Sequence, residues 1–463
     1  MAICDNSIPS SARQQAAADI VERLSAAGYQ AYFAGGCVRD LLLGREPSDF
    51  DVATSATPDV VLTMFPRTFS VGAHFGVVLV ADAYESSEIL TEVATFRRDG
   101  NYSDGRRPDS VLYTTSAEQD VVRRDFTING MLLDPAHSGD LESAVLDFVG
   151  GREDLRAGII RAIGDPAQRF REDKLRMLRA VRFAARFGFA IETETLWTIC
   201  VMAREVSQVS QERVRDELTR MLTEGAARRA FESLAVTGLL AEILPEVARM
   251  QGVEQPPQYH PEGDVWIHTL TLLEQLPAGC SATLAWGALL HDVGKPSTFR
   301  RAPDRIRFDG HAEVGVRIAD EICRRLRLSN SDTEQILALV ANHMRFADVE
   351  KMRASTLKRF FRLQPFEEHL ALHRMDCLAS HRDLSLYRFA KQQYEAAEPA
   401  HIRPTPLITG NDLIALGYRP GPEFRRILTM VEDAQLEGAL HTREDALALV
   451  ETNFQQPPSQ GSP

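Results

Sequence analysis

Two aspartates separated by one residue are the sequence feature best suited to chemistry. Asp49 and Asp51 flank Phe50, and alternate side chains of an extended strand point to the same face. The two carboxylates would lie about 6.6 Å apart at a rise of about 3.3 Å per residue. Carboxylates bind Mg²⁺ together with substrate phosphates, and two such ions suit the attack of a hydroxyl on an α-phosphate. The pair therefore predicts Mg²⁺-dependent transfer of a nucleotide.

Two glycines upstream of these aspartates predict a phosphate site. Gly35 and Gly36 follow the apolar run 32–34 and precede a helix expected over 38–43, which Gly44 would end. Backbone N–H groups at a helix N-terminus attract anions. A plain turn and a solvated strand edge would explain either feature alone, whereas their combination at this spacing favours a nucleotide site.

The segment 34–52, AGGCVRDLLLGREPSDFDV, resembles the first signature motif of the class II tRNA nucleotidyltransferases and the related bacterial poly(A) polymerases. These proteins belong to the polymerase-β-like nucleotidyltransferase superfamily. The resemblance implies an α/β N-terminal head with a mixed sheet, followed by all-α neck, body and HD domains. It also implies a set of nucleotide-binding residues: Gly35, Gly36, Arg39, Arg124, Asp125, Asn129, Asp173, Arg176, Arg179 and Arg182.

Paired arginines meet an acid and an amide in the octet 123–130, RRDFTING. The arginine fork suits triphosphate oxygens, while Asp125 and Asn129 either contact the ribose or hold the arginines in place. A helix cap with surface arginines would also explain the octet alone. The octet resembles the second motif of the same family, with Gly130 where alanine is commoner.

An acid and an arginine three residues apart, Asp173 and Arg176, are expected on one helix that starts near residue 169. Residues at this spacing share a helix face, so the pair forms either an internal salt bridge or a donor–acceptor set for the edge of an incoming base. The resemblance to the family's Glu-Asp-x-x-Arg motif implies base selection. The segment 211–218 resembles the next motif, which buttresses that site.

Two further features of the head leave alternatives open. Glu92 lies in a strand expected over 88–95 and is either a third carboxylate of the metal site or a solvated strand residue. The segment 97–110 has the composition of a mobile, functional loop, with four arginines among Gly, Pro, Asn and Asp. In the resembled family the corresponding loop is needed to add the terminal A, which favours addition of C, C and A, or of A.

Histidines and aspartates in the second half of the chain predict another metal site. A single helical histidine is usually a core or surface residue, but imidazole and carboxylate together suit a divalent transition metal. Their order resembles the HD superfamily of metal-dependent phosphohydrolases. That resemblance implies one ion, such as Ni²⁺, Co²⁺ or Mn²⁺, on His268, His291, Asp292 and Asp376, and a possible second ion on His311 and His343. Lys295 would steady the phosphate.

Composition limits the classes of function. The 463 residues suffice for about three domains, and a net charge of −13 excludes a uniformly basic surface. Residues 152–186 nevertheless carry ten Arg or Lys against five acids, which predicts a local RNA groove. The six cysteines form no C-x-x-C pair, and no apolar run approaches the length of a membrane span. A cytoplasmic protein without membrane contact is expected.

The chain in order predicts a helix over 11–27 and strands over 30–34, 49–53, 67–71, 76–81 and 88–95. The expected domains are a catalytic head (1–150), a helical neck (151–250), an HD domain (251–400), a helical tail (401–454) and a disordered end (455–463).

The combined patterns predict Mg²⁺-dependent addition of CCA to tRNA 3′ ends from CTP and ATP, with a second, phosphohydrolase activity. No obligate protein partner is implied. Poly(A) polymerase, which shares every motif quoted, stays open as an alternative, as does an enzyme that adds only A. Two other classes stay open: an HD phosphohydrolase with a non-catalytic RNA-binding head, and a hydrolase of signalling nucleotides with a regulatory head.

Overall fold

A computed structural model of the chain describes residues 8–70, 76–85, 87–100, 110–137, 140–258, 260–261 and 263–454. Its contacts divide the chain into two compact units, Met1–Pro245 and Glu246–Pro463. The predicted disorder of 455–463 and most of the predicted loop 97–110 lie outside the described residues.

A seven-stranded mixed sheet forms the centre of the first unit, in the order β3-β4-β5-β2-β1-β8-β9. The strands of this unit are β1 Ala31–Ala34, β2 Asp51–Thr54, β3 Thr68–Phe69, β4 Val77–Tyr84, β5 Ser87–Thr95, β6 Arg97–Asp99, β7 Val111–Tyr113, β8 Met131–Leu133, β9 Val145–Asp147, β10 Ile159–Ile160 and β11 Ala190–Ile191. Strands β2 and β5 pair in parallel, and the other neighbours in this sheet pair antiparallel. This confirms the mixed-sheet head.

The strand predicted over 49–53 begins later, at Asp51. Strand β1 ends at Ala34, the residue that pairs with Asp51, because the chain turns at Gly35 with a φ of 75° and enters a helix. Asp49 therefore has no ladder partner on β1 and lies before the strand. The sequence pattern predicts that the two carboxylates are alternate side chains of one strand. This prediction is wrong, because only Asp51 belongs to the strand.

Helices connect many of the strands of the first unit and predominate after β9. They are α1 Ser10–Ala26, α2 Gly36–Leu42, α3 Pro58–Met64, α4 Ala117–Val122, α5 Gly151–Ala157, α6 Pro166–Glu172, α7 Leu175–Phe187, α8 Thr193–Met202, α9 Gln211–Thr223, α10 Ala227–Val236 and α11 Leu239–Ile243, with 3₁₀ turns at Thr127–Asn129 and Ala203–Gln208; α12 Pro245–Ala248 spans the division between the units. Helix α1 packs on β1, β2 and β5 through Ile20, Val21 and Leu24.

The single helix predicted from residue 169 is two helices. Helix α6 ends at Glu172, and Asp173 is extended, with φ −147° and ψ 104°. The Asp173 side chain accepts a hydrogen bond of 3.1 Å from the backbone N–H of Leu175, the first residue of α7. A short acid that bonds the backbone two residues ahead favours such a break over a continuous helix. Asp173 and Arg176 therefore do not share one helix face.

The secondary structure described in the second unit comprises helices and one short hairpin. It contains α13 Val265–Leu273, α14 Ala282–Leu290, α15 Lys295–Thr298, β12 Arg300–Arg301, β13 Ile306–Arg307, α16 His311–Arg325, α17 Asn330–Asn342, a 3₁₀ segment His343–Lys351, α18 Ala354–Phe360, α19 Phe366–Ala379, α20 Ser385–Ala396, α21 Pro399–Ile402, α22 Gly410–Ala415, α23 Pro422–Leu436 and α24 Arg443–Asn453. No helix in the described part of the chain has the length and apolar composition to cross a bilayer.

Candidate active sites

One cavity of the first unit, about 870 Å³ in volume, gathers the residues predicted for nucleotide transfer. Its wall includes Gly35, Gly36, Arg39, Asp49, Asp51, Glu92, Arg124, Asp125, Asn129, Asp173, Arg176, Arg179 and Arg182. Strand ends, the start of α2, the turn after α4 and the helix α7 each contribute some of them. The fold thus brings together segments that are more than 100 residues apart in the chain.

Three carboxylates meet at the sheet end of this cavity. Val52 pairs with Val93 in the parallel β2–β5 ladder, so Glu92 lies beside Asp51. Burial, followed by the negative charges of Asp49 and Glu92, raises the pKa of Asp51 to about 7, although Arg124 opposes the shift. Clustered carboxylates repel one another unless a cation joins them. The arrangement fits a divalent cation with oxygen ligands.

The two glycines leave room at the start of α2. Gly35 is the N-cap of this helix. A Cβ at Gly35 would lie 3.4 Å from Nη1 of Arg124, and one at Gly36 would lie 3.5 Å from Nη2 of Arg39. The positive φ of Gly35 is a conformation that other residues rarely adopt. The start of α2 and Arg124 thus lie in the same cavity wall, an arrangement compatible with the predicted anion site.

A polar chain crosses the cavity wall through the predicted second motif. Nη1 of Arg39 donates to Oδ1 of Asn129 at 2.6 Å, and Nδ2 of Asn129 donates to Oδ1 of Asp125 at 3.2 Å. Nε of Arg179 donates to Oδ2 of Asp125 at 2.9 Å. Burial alone would raise the pKa of Asp125, but Arg179 and Arg176 outweigh burial and hold it at about 2. Asp125 and Asn129 therefore hold arginines in place.

Arg182 lines the cavity but is itself almost fully buried. Its Nε donates to Oε2 of Glu217 at 2.6 Å, and burial lowers the pKa of its guanidinium. Glu217 lies on α9, within the segment predicted to buttress the site. This contact fixes α7 against α9, so Arg182 supports the cavity wall.

Asp173 and Arg176, the pair predicted to select a base, do not form a salt bridge with each other. Arg213 donates to Asp173 from both terminal nitrogens, with Nη1–Oδ1 3.0 Å and Nη2–Oδ2 2.7 Å. Arg176 instead donates to Oε2 of Glu172 at 2.9 Å and to the carbonyl oxygen of Arg123 at 3.0 Å. The two side chains are held separately and both face the cavity.

Sequence reasoning missed two residues that organise this cavity. Asp120 is buried and accepts from Nη2 of Arg123 at 2.7 Å and from Nη2 of Arg124 at 2.9 Å. Its position three and four residues before the paired arginines is a helix spacing that could have indicated the contact. Arg213 lies in a quoted motif, but no local signal shows that it reaches Asp173.

The second unit contains two groups of metal-ligating side chains that share Asp292. His268, His291 and Asp292 form one group, and Asp292, His311 and His343 form the other, each with its ligand atoms within 4.8 Å of one another. The Nε2 atoms of His268 and His291 are 3.3 Å apart, and those of His311 and His343 are 3.1 Å apart. Two imidazole nitrogens therefore lie close together in each group, and the Asp292 carboxylate belongs to both groups.

The remaining predicted ligand, Asp376, lies beside the first group. Its Oδ1 is 3.2 Å from Nε2 of His268. Asp292 faces both groups, with Oδ2 3.1 Å from Nε2 of His291 and Oδ1 3.6 Å from Nε2 of His311. All six residues predicted from the HD resemblance are therefore brought together.

Backbone carbonyls orient three of these histidines. Nδ1 of His291 lies 2.9 Å from the carbonyl oxygen of Ala288, Nδ1 of His311 lies 2.9 Å from that of Phe308, and Nδ1 of His343 lies 2.8 Å from that of Val340. A carbonyl requires a protonated Nδ1, so the lone pair of each neutral ring is on Nε2. Burial lowers the pKa of His343 to about 4 and keeps it neutral. The donor set fits a divalent transition metal.

Gly294, between the predicted ligand Asp292 and Lys295, allows the close approach that builds this site. A Cβ at Gly294 would lie 2.1 Å from the carbonyl oxygen of His311 and 2.6 Å from the backbone nitrogen of Gly315. Any side chain here would push α16 away. The helix that carries His311 would then move from Asp292.

A cavity of about 460 Å³ opens onto this cluster. Lys295 lies in its wall, with Nζ 2.7 Å from Oδ2 of Asp292 and 2.7 Å from Oε1 of Gln255. Residues of the wall that sequence reasoning missed are His260, Arg305, Arg307, Phe308, Met344, His373 and His381. They follow no periodic pattern, and only folding places them around the metal-ligand cluster.

Comparisons with known proteins agree with this division of sites. The model of the poly A polymerase head domain matches residues 31–161, that of the probable RNA and SrmB-binding site of polymerase A matches 188–251, and that of the HD domain matches 264–380. The first match contains the carboxylates and the glycines. The third contains the six predicted metal ligands.

The chain is similar to bacterial CCA-adding enzymes. It is 44% identical to that of Geobacillus stearothermophilus over 227 residues, which are 49% of this chain and 54% of that protein. It is 31% identical to that of Geobacillus sp. (strain WCH70) over 439 residues, 94% of this chain and 95% of that protein. The crystal structure of the Bacillus stearothermophilus CCA-adding enzyme in complex with CTP matches with a TM-score of 0.73 and 27% identity, covering 96% of this chain and 98% of that one. Similarity at this level along nearly the full length shows that the chain belongs to the CCA-adding enzyme family.

Proposed function

We propose that the first unit adds C, C and A to the 3′ end of tRNA from CTP and ATP. One observation carries the proposal: a single cavity has three carboxylates at the sheet end and the acid–arginine set of Asp173 and Arg176 in the same wall. Mg²⁺ held by Asp49 and Asp51 would activate the RNA 3′-hydroxyl and neutralise charge on the triphosphate. The CTP complex of a relative supports this choice of substrate.

Hydrogen-bond capacity explains how protein replaces a template. A carboxylate has about four acceptor positions, and contacts with Arg213 and the N–H of Leu175 occupy three on Asp173. Arg176 uses about three of its five N–H donors on Glu172 and on two backbone carbonyls. Among the described residues the pair thus keeps an acceptor and donors for a base. Cytosine and adenine have an amino donor beside a ring-nitrogen acceptor, which match the acceptor on Asp173 and the donors on Arg176. Uracil and guanine have a carbonyl acceptor beside a ring N–H donor, the opposite order.

The test is the product formed on a defined RNA. The protein is incubated with Mg²⁺, all four nucleotides and tRNA that lacks its 3′ end, and the extended ends are sequenced. We expect C, C and A in that order. A long A tract without C would show a poly(A) polymerase, and addition of A only to tRNA ending in CC would show the partial enzyme. Extension that persists in Asp49→Asn would contradict the proposed carboxylate site.

We also propose that the second unit hydrolyses phosphoesters, with phosphodiesterase activity on 2′,3′-cyclic ends and phosphatase activity on small phosphomonoesters. Water adds across a P–O bond: its oxygen joins phosphorus, and the departing ribose oxygen takes the proton. Ni²⁺, Co²⁺ or Mn²⁺ on His268, His291, Asp292 and Asp376 would lower the pKa of that water. Lys295 would hold a phosphate oxygen, and His311 with His343 would bind a second ion.

Metal content and hydrolysis test this second activity. Protein loaded with each metal in turn is assayed on a 2′,3′-cyclic nucleotide and on a small phosphomonoester. We expect hydrolysis with at least one metal and its loss in His291→Ala. His311→Ala should lower the bound metal by one ion per chain if the second position is used. Absence of hydrolysis with every metal would contradict the proposal.

The four-part division into head, neck, HD domain and tail remains our proposal for the domains. A cytoplasmic location is proposed because tRNA maturation needs CTP and ATP. The five cysteines within the described residues are free thiols, which is consistent with a reducing compartment.

A further inference from the structure

The cavity beside the metal-ligand cluster has more recognition surface than a phosphate group needs. Its volume of about 460 Å³ lies in the range of about 300–1,000 Å³ typical of sites for larger ligands. Hairpin β12–β13 and the residue after it contribute Arg305, Arg307 and Phe308 to one part of the wall, and Met344 and Leu386 come from other segments. A small phosphomonoester would leave most of this wall unused.

The hairpin presents more positive than negative charge to the cavity. Arg307 donates from Nη2 to Oδ2 of Asp304 at 2.8 Å, and Nε of Arg305 is 4.0 Å from the same oxygen. One carboxylate thus serves two guanidinium groups. Asp309 also lines the wall, but Arg300 already pairs with it at 2.8 Å. These three arginines thus share two carboxylates, so this part of the wall has one guanidinium group in excess.

Arg307 also has an unused donor. Its Nε is buried and has no hydrogen-bond partner among the described residues. Buried donors are nearly always satisfied, so this guanidinium has hydrogen-bonding capacity that the described residues do not use. Arginine binds phosphate oxygens through parallel N–H groups, which suits a second phosphate at this position.

Apolar side chains lie beside these arginines. Nζ of Lys295 is 5.5 Å from the centre of the Phe308 ring, and Met344, directly after His343, is 51% exposed. Ile306 and Leu386 complete this part of the wall. Aromatic and thioether surfaces pack against the flat faces of bases with little preference among them.

We propose, on the basis of the phosphohydrolase function above, that this cavity takes the 3′ end of an RNA chain. The terminal phosphate lies at the metal-ligand cluster, and the next phosphate on the 5′ side lies at Arg305 and Arg307. The terminal base and ribose pack against Phe308 and Met344. The substrate class is therefore a nucleotide with phosphates on both sides of its ribose.

A pair of small substrates tests this inference in the full-length, metal-loaded protein. Adenosine 2′,3′-cyclic phosphate is compared with the same compound carrying a 5′-phosphate. We expect the 5′-phosphate to raise kcat/KM about tenfold, equivalent to about 1.4 kcal/mol. This comparison uses only the natural protein and does not depend on how a variant folds.

Variants of the hairpin assign the effect to its residues. Arg305→Gln and Arg307→Gln should each bring the ratio of the two kcat/KM values towards one. Arg301→Gln is the matched control, because Arg301 lies on the same hairpin, pairs with Glu254 at 2.5 Å and is outside the cavity wall. The control should keep the ratio, and circular dichroism should show a native fold for all three.

Each other result overturns part of the inference. Hydrolysis of both substrates with equal kcat/KM in the natural protein would refute the second phosphate position and leave the phosphohydrolase intact. A preference that survives in both cavity variants would refute the assignment to Arg305 and Arg307. Hydrolysis of neither substrate with Ni²⁺, Co²⁺ or Mn²⁺ would refute the proposed activity and this inference with it.

Discussion

Replacement of Arg213 tests whether base selection depends on a fixed carboxylate. Arg213 holds Asp173 through two charge-assisted hydrogen bonds, and both side chains are about four-fifths buried. In Arg213→Ala the carboxylate would keep only the N–H of Leu175 and could turn towards neighbouring arginines. Asp173 would then no longer present an acceptor at a fixed place for the amino group of cytosine or adenine.

The size of the effect follows from the contact that is lost. A well-made contact to a base edge contributes about 1–3 kcal/mol of discrimination, which corresponds to about 5–150-fold. The ion pair itself is partly solvated and should contribute only about 0–1 kcal/mol to folding stability. We therefore expect a large loss of selectivity with a small change in Tm.

The assay is single-nucleotide addition to tRNA that lacks its 3′ end, with kcat/KM measured for CTP and for UTP. Arg213→Ala should lower the ratio of these values by about 5–150-fold. Arg213→Lys should recover part of it, because lysine restores the charge but not the two-point contact. Arg215→Ala is the matched control, since Arg215 lies on the same helix and bonds Asp216 at 2.8 Å. A variant that loses rate but keeps full selectivity would refute the reasoning.

Three other expectations follow from the geometry. Asp49→Ala or Asp51→Ala should abolish nucleotide addition in the tRNA assay with little change in tRNA affinity measured by filter binding, because phosphate contacts elsewhere supply most of that affinity; substantial residual addition would contradict the assignment. Joint replacement of His291 and Asp292 by alanine should abolish phosphoester hydrolysis and leave CCA addition intact, as measured on the two substrates in parallel. His369 is buried near the charges of Glu368 and Arg345, and burial lowers its pKa to about 4 from an ordinary 6.5. As the pH falls, this histidine therefore binds a proton in the unfolded chain before it does so in the folded protein. Stability is lost as the pH falls from about 6.5 to 4. The free energy of unfolding in urea is measured at pH 7 and at pH 4.5. Its loss between these pH values should be up to about 3 kcal/mol smaller in His369→Phe than in the natural protein. An equal loss in both proteins would show that His369 does not titrate on unfolding.

Sequence alone determined which ligand types each candidate site offers, because ligand type and backbone freedom belong to individual residues. The glycine pair before α2 could be read as an anion site from residue type and position, and Gly35 has the positive φ that this requires. The order of the histidines and aspartates in the second half indicated a transition-metal site. Secondary structure was predicted well where the pattern is local, as for the helix Ser10–Ala26 and the strand Ser87–Thr95.

Tertiary structure decided which residues act on one another, since those contacts join segments far apart in the chain. Parallel pairing of β2 with β5 puts Glu92 beside Asp51. Asp173 pairs with Arg213 of α9 and not with Arg176, because Asp173 lies in a break between two helices. The same reason applies to Arg305 and Arg307, which folding places in the wall of the cavity that opens onto the metal-ligand cluster, although no spacing in the sequence encodes that position.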